Sequence, residues 1–134
     1  MNFKAARARH LRLGRTGENI AVRLLRSKHL DLLCRNYKVK AGEIDIITRD
    51  GEILTFVEVK TRRLSTRSRP AAGLRFKQKR RIHKAAMNYL RHINRPEVIY
   101  RFDLIEVIIG RSGPVEVRHW PEHFSGSEIK PEFL

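Results

Sequence analysis

Gly42-Glu43-Ile44-Asp45-Ile46-Ile47-Thr48-Arg49-Asp50-Gly51-Glu52-Ile53-Leu54-Thr55-Phe56-Val57-Glu58-Val59-Lys60 holds two β-rich runs on either side of an Asp-Gly dipeptide. That dipeptide accommodates the two positive φ angles of a tight type I′ turn, so the stretch predicts an antiparallel hairpin. With Asp50 and Gly51 as the loop residues, Arg49 faces Glu52, Asp45 faces Phe56 and Glu43 faces Glu58, which makes Asp45 and Glu58 diagonal neighbours. Side chains alternate along a strand. Glu43, Asp45, Glu58 and Lys60 therefore share one face with Leu54 and Phe56, and Ile44, Ile46, Ile53, Thr55, Val57 and Val59 share the other.

Diagonal neighbours lie about 7–8 Å apart. From there two carboxylates can reach a single hard cation, since Mg²⁺–oxygen bonds are about 2.0–2.1 Å long. Acids in strands are most often ordinary charges on a wet face, but three features speak for a metal site. Glu43 opposite Glu58 is a like-charge pair that something positive must offset. Leu54 and Phe56 make the shared face partly apolar. Lys60 completes an acid-x-lysine triplet on the same strand and face, the arrangement that metal-dependent phosphodiester cleavage requires.

The whole chain has 134 residues, 41% of them hydrophobic, enough for one domain with a core and too few for two. Its 29 Lys and Arg against 14 Asp and Glu leave a net charge of +15, far beyond what solubility asks of a small domain. Nucleic acid is the expected partner, because phosphates carry the sequence-independent part of such affinity; an anionic membrane surface is the other polyanion. No apolar run is long enough for a membrane span, and the first residues lack the apolar core of a signal peptide, so a cytoplasmic location is expected. The single cysteine, Cys34, excludes an internal disulfide and a Cys-rich zinc site.

Residues 1–13, basic and free of acids, read as a solvated arm. Residues 14–124 form the domain and 125–134 a C-terminal tail. Leu13, Gly17, Ile20, Ala21, Leu24 and Leu25 recur at helical spacing, predicting a helix from Gly14 to about His29. Glu18 lies at the border of its apolar stripe, where it either faces the sheet or serves as an acid in a first helical turn. Leu32 to Val39 reads as a strand that forms a meander with the hairpin, and Thr61 to Pro70 as a mobile Arg- and Ser-rich loop containing Arg62, Arg63, Arg67 and Arg69. A second helix over 71–93 turns Leu74, Ile82, Ala85, Ala86, Tyr89, Leu90 and Ile93 inward. Lys77, Arg81 and Lys84 lie on another face, and no acid occurs between Glu58 and Glu97. A cationic run without interspersed acids repels itself, which favours phosphate contact over simple solvation. Gln78 falls on the inner stripe, near the helix start. Strands over Tyr100–Ile109 and Val115–Trp120 complete the order αβββαββ. His119 and His123 have the i, i+4 spacing of a zinc helix, but Pro121 separates them and the accompanying Glu is missing. Phosphate-binding glycine loops and the Gly-x-Ser-x-Gly elbow are absent.

Asp45 followed by Glu58-x-Lys60 in this order of elements resembles the restriction-endonuclease-like superfamily. Gly14-x-x-Gly17-Glu18, Asn36, Gly42-Glu43-Ile44-Asp45, Phe56-Val57-Glu58-Val59-Lys60-Thr61-Arg62, the Ala85/Tyr89-Leu90 helix and Arg101-Phe102-Asp103 look like the YraN family of small bacterial proteins, over about residues 14 to 124. The resemblance implies an α/β fold, a restriction-endonuclease-like core with a central mixed sheet flanked by helices. It implies that Asp45 and Glu58 ligate Mg²⁺ or Mn²⁺ with Glu18 adding a ligand, and that Lys60 orients or activates the water and steadies charge on the phosphate. Glu43 and Gln78 are accessory candidates. The expected function is a metal-dependent endonuclease acting on DNA in preference to RNA, branched or junction DNA included, with a homodimer as one way of cutting two strands. The alternative is a non-catalytic nucleic-acid-binding protein that keeps the fold.

Overall fold

The hairpin turns at Gly51-Glu52, one residue later than its Asp-Gly signal suggests. Asp50 pairs with Ile53, Thr48 with Thr55 and Ile46 with Val57. Gly51 alone of the two loop residues has a positive φ, 61°, the pattern of a type II′ turn with glycine in the first central position. Moving the turn by one residue moves every cross-strand partner by two, so each side chain of the hairpin's second strand keeps its expected face. The pairing of the acids does change: continued one step, this register sets Asp45 opposite Glu58, and Glu43 is no longer Glu58's partner.

The computed structural model describes residues 3–64, 74–95 and 97–129. The elements run α1 (Phe3–Ser27), β1 (Asp31–Val39), β2 (Gly42–Asp50), β3 (Ile53–Arg63), α2 (Phe76–His92), β4 (Tyr100–Gly110), β5 (Gly113–Phe124) and a short 3₁₀ turn at Gly126–Glu128. This is the expected αβββαββ order. The five strands form one mixed sheet in sequence order; β3 and β4 pair in parallel and all other neighbours are antiparallel. A parallel pair cannot be joined by a tight turn, and the crossover between these two carries α2.

Each helix covers one face. Ala21, Val22 and Leu25 of α1 pack on Ile46, Val57, Ile105 and Val107. Ile82, Ala85, Ala86 and Leu90 of α2 pack on Ile44, Ile47, Phe56, Phe102 and Leu104. Both helices come unusually close to the sheet at a glycine. A Cβ on Gly17 falls 1.7 Å from Thr61 Oγ1, and one on Gly42 falls 2.1 Å from the Arg81 carbonyl oxygen, so only glycine permits either approach.

Several boundaries differ from expectation. The acid-free segment expected as an arm continues α1 from residue 3. Thr61–Arg63, expected in a loop, lengthen β3, and α2 starts later than residue 71, at Phe76. β5 runs through Pro121 to Phe124; it is an edge strand, where a residue without an N–H is tolerated.

Candidate active site

Asp45 lies where strand alternation breaks. Arg35 pairs with Ile46 and Tyr37 with Ile44. Ile46 packs under α1, while Ile44 packs under α2 although two positions on a regular strand share a face. The break also appears in β1, where Arg35 reaches Glu18 and Asn19 of α1 but Tyr37 hydrogen-bonds Asn88 of α2. Between them Asn36 has φ 53°, a left-handed conformation that asparagine tolerates better than most residues. Ile44, expected beside Ile46, is thereby moved to the α2 side. The regular β2–β3 ladder ends at Ile46 and Val57, and beyond it Asp45 Oδ2 accepts the Val59 N–H at 2.8 Å.

Glu58 is the next residue on β3, on the α2 face with Leu54 and Phe56. Its carboxyl acts directly on that of Asp45. The Asp45 carboxyl is raised to about 6, chiefly by burial and further by Glu18 and Glu43, against the lowering effect of the Val59 N–H and of Glu58. Burial and then the Asp45 charge raise Glu58 well above the usual range, despite the opposing Lys60. The donor set is all oxygen and hard, and a divalent cation would relieve the repulsion between the two carboxylates.

The described residues contain no cluster of three or more His, Cys, Asp or Glu side chains suited to a metal. Glu18 faces the sheet and acts electrostatically on Asp45, but its carboxylate lies 3.7 Å from Arg35, outside the acid pair. Two carboxylates still suit Mg²⁺, which usually keeps several waters and takes one or two carboxylates plus substrate phosphates. Glu43 is exposed and lies 3.7 Å from Lys38. It nevertheless lines, with Glu58, Gln78, Arg81 and Ile82, a cavity of about 130 Å³ between the sheet and the start of α2. Gln78 is exposed at the rim of that cavity rather than turned into the core, and its Oε1 accepts the Arg75 N–H at 3.0 Å.

Lys60 follows Glu58 on the same face. Burial lowers its ammonium, with Arg62 and Arg75 adding to the shift and Glu58 and Glu106 opposing it. Glu106 is Lys60's register partner across the parallel pair. It is 2% exposed, accepts the Trp120 indole N–H at 2.9 Å on Oε1, and has no partner for Oε2 among the described residues. Local spacing gives no signal for this neighbour, because the β3–β4 pairing spans α2. Of the expected cationic residues, Arg81 borders the acid cavity and Lys84 lines a separate groove with Lys40 and Arg91. Lys77 is exposed on the first turn of α2. Arg62 and Arg63 belong to β3, and Arg67 and Arg69 lie outside the described residues.

A second polar cluster occupies the other face of β4. Asp103, 1% exposed, accepts from Arg101 Nε at 3.1 Å, His119 Nε2 at 2.7 Å and the Glu122 N–H at 3.0 Å. Lys28 donates to His119 Nδ1 at 2.7 Å. His119, weighed above as a zinc ligand, serves here as a hydrogen-bond partner of a buried acid.

The family model described as "Uncharacterised protein family UPF0102" matches residues 17–107, a span holding Glu18, Asp45, Glu58, Lys60, Asp103 and Glu106. Among curated relatives, a UPF0102 protein of Dictyoglomus turgidum is 42% identical over 81% of this chain and 90% of its own length. One of Geotalea daltonii is 39% identical over 84% and 88%, and one of Rhodococcus opacus 36% identical over 87% and 99%.

Proposed function

The chain belongs to the uncharacterised protein family UPF0102, the YraN family, and we propose that this member is a Mg²⁺- or Mn²⁺-dependent endonuclease cleaving phosphodiester bonds in DNA. The observation that carries this reading is the Asp45–Glu58 pair, two partly buried carboxyls both raised by burial and by neighbouring acids, with Lys60 next on the same strand face.

The Val59 N–H fixes the direction of the Asp45 carboxylate, and burial holds Glu58 beside it. When bound by this pair, the divalent ion supplies Lewis-acid polarisation of the phosphate and lowers the pKa of water. Asp45 and Glu58 would hold that ion through their carboxylate oxygens. Lys60 Nζ, its ammonium already lowered from its ordinary value, donates to a phosphate oxygen and stabilises charge that develops there. Arg81 stands at the rim of the same cavity, positioned to hold an incoming phosphate group.

The test is calorimetric titration of Mg²⁺ and Mn²⁺ into the parent and Asp45→Asn, run beside cleavage of labelled linear and branched DNA. Divalent binding and cleavage in the parent, both lost in Asp45→Asn, are expected. Metal binding in neither protein, with DNA retained by both, would replace the nuclease with a nucleic-acid-binding protein of the same fold.

A further inference from the structure

A cleft of about 360 Å³ opens between the first half of α1, the end of β3 and the β4–β5 turn. Arg9, Arg12, Arg63 and Arg111 surround it, while Leu13 and Ile109, each partly buried, form its apolar floor. No acid lines it. Among the described residues none of these four arginines is paired with a carboxylate, whereas Arg35, Arg49, Arg101 and Arg118 all are.

We propose that this arginine cleft is a second binding site for the sugar-phosphate backbone of a nucleic acid, on the opposite face of the sheet from the acid pair. The proposal rests on nucleic acid being the partner but not on its being cut.

Local structure here is built against its own preferences. The first turn of α1 has no acid to complement the helix macrodipole, and Arg9 and Arg12 are like charges at i, i+3. The like-charge pair costs stability in the free protein and is relieved by an anion in the cleft. The support beneath is rigid: the Leu64 N–H bonds the Ile109 carbonyl at 2.8 Å, extending the β3–β4 pairing past Arg63. Gly113, with φ 123°, closes the turn that exposes Arg111.

One consideration selects a nucleic-acid backbone. Guanidinium groups bind phosphate oxygens through two parallel N–H donors, and four of them converge on one cleft. The cleft lies on the α1 face of the sheet, since Arg63 is an odd number of residues beyond Lys60, and so is separate from the acid site on the α2 face. Leu64 and Val115, 60% and 59% exposed, would be the contacts of an anionic membrane, which is the competing occupant.

The experiment measures binding of a 25-base-pair duplex in EDTA, so that cleavage plays no part, across a series of salt concentrations. The proteins are the parent, Arg9→Gln/Arg12→Gln/Arg111→Gln, and Arg111→Gln alone, a turn substitution that leaves α1 untouched. The triple variant should lose at least tenfold in affinity at physiological salt and lower the log–log salt slope by about 2–3, near 0.9 for each phosphate contact removed. Arg111→Gln should lower the slope by about 1. Thermal melting of the variants should match or exceed the parent. Unchanged affinity and slope in both variants would overturn the cleft while leaving the nuclease reading in place. No duplex binding by the parent would overturn both. Loss in the variants of binding to vesicles containing phosphatidylserine, with duplex binding unchanged, would assign the arginines to a membrane surface.

Discussion

Asp45 and Asp103 are acids on strands of the same sheet, and the molecule treats them in opposite ways. Asp103 receives a guanidinium, an imidazole and a backbone N–H, so its charge is matched by donors brought from β4 and β5. Asp45 receives one backbone N–H and another acid. A buried carboxylate that the fold satisfies is part of the scaffold. One placed against a second carboxylate is held in an unfavourable arrangement, and such local conflict concentrates where a ligand completes the structure.

The sharpest break between the two is Asp45→Asn. Cleavage should fall by about 10³-fold or more, at the upper end of the losses seen when a single transition-state contact is removed, while the metal-free protein stays folded. Single-turnover cleavage beside a melting curve checks both halves. If activity survives, Asp45 belongs with Asp103 as scaffold.

Asp103→Asn should do the reverse. Arg101 and His119, 18% and 5% exposed in their side chains, would lose the charge they share, at a cost of about 3–5 kcal/mol. Denaturant unfolding measures this. A loss under 1 kcal/mol would remove the contrast.

The acid pair also makes a signed prediction for pH. The folded protein holds the Asp45 proton up to about pH 6, against an ordinary value of 3.8, so between those values the folded state binds more protons than the unfolded. Stability from this group is greatest below pH 4 and falls as pH rises through 6, by on the order of 2–3 kcal/mol. Unfolding of the metal-free parent and of Asp45→Asn from pH 4 to 7.5 isolates the effect: their difference should grow with pH in favour of the variant. Saturating Mg²⁺ should reverse its sign.

Lys28→Met removes an exposed donor to His119 and should cost no more than about 1 kcal/mol. A larger loss, read by the same unfolding curves, would extend the scaffold cluster to the end of α1.

Glu58 and Lys60 are legible in the sequence because strand alternation alone puts them on one face of β3. Asp45 comes beside Glu58 by another route: the turn lies one residue from its Asp-Gly signal, which sets the two acids opposite rather than diagonal, and alternation in β2 breaks at Asp45. Ile44 was misassigned because the left-handed Asn36 acts from a neighbouring strand. Glu106 beside Lys60 and the Asp103 cluster depend on strand pairings that local periodicity does not encode. The early start of α1 was hidden by its arginines, which read as a solvated segment without a partner that orders them.

The parallel pairing of β3 with β4 has a consequence for how the molecule comes into being. The strand contacts as far as β3 are local, whereas β3 meets β4 only across α2. A chain truncated before Tyr100 would carry all three residues of the acid-lysine constellation without Glu106 beside Lys60.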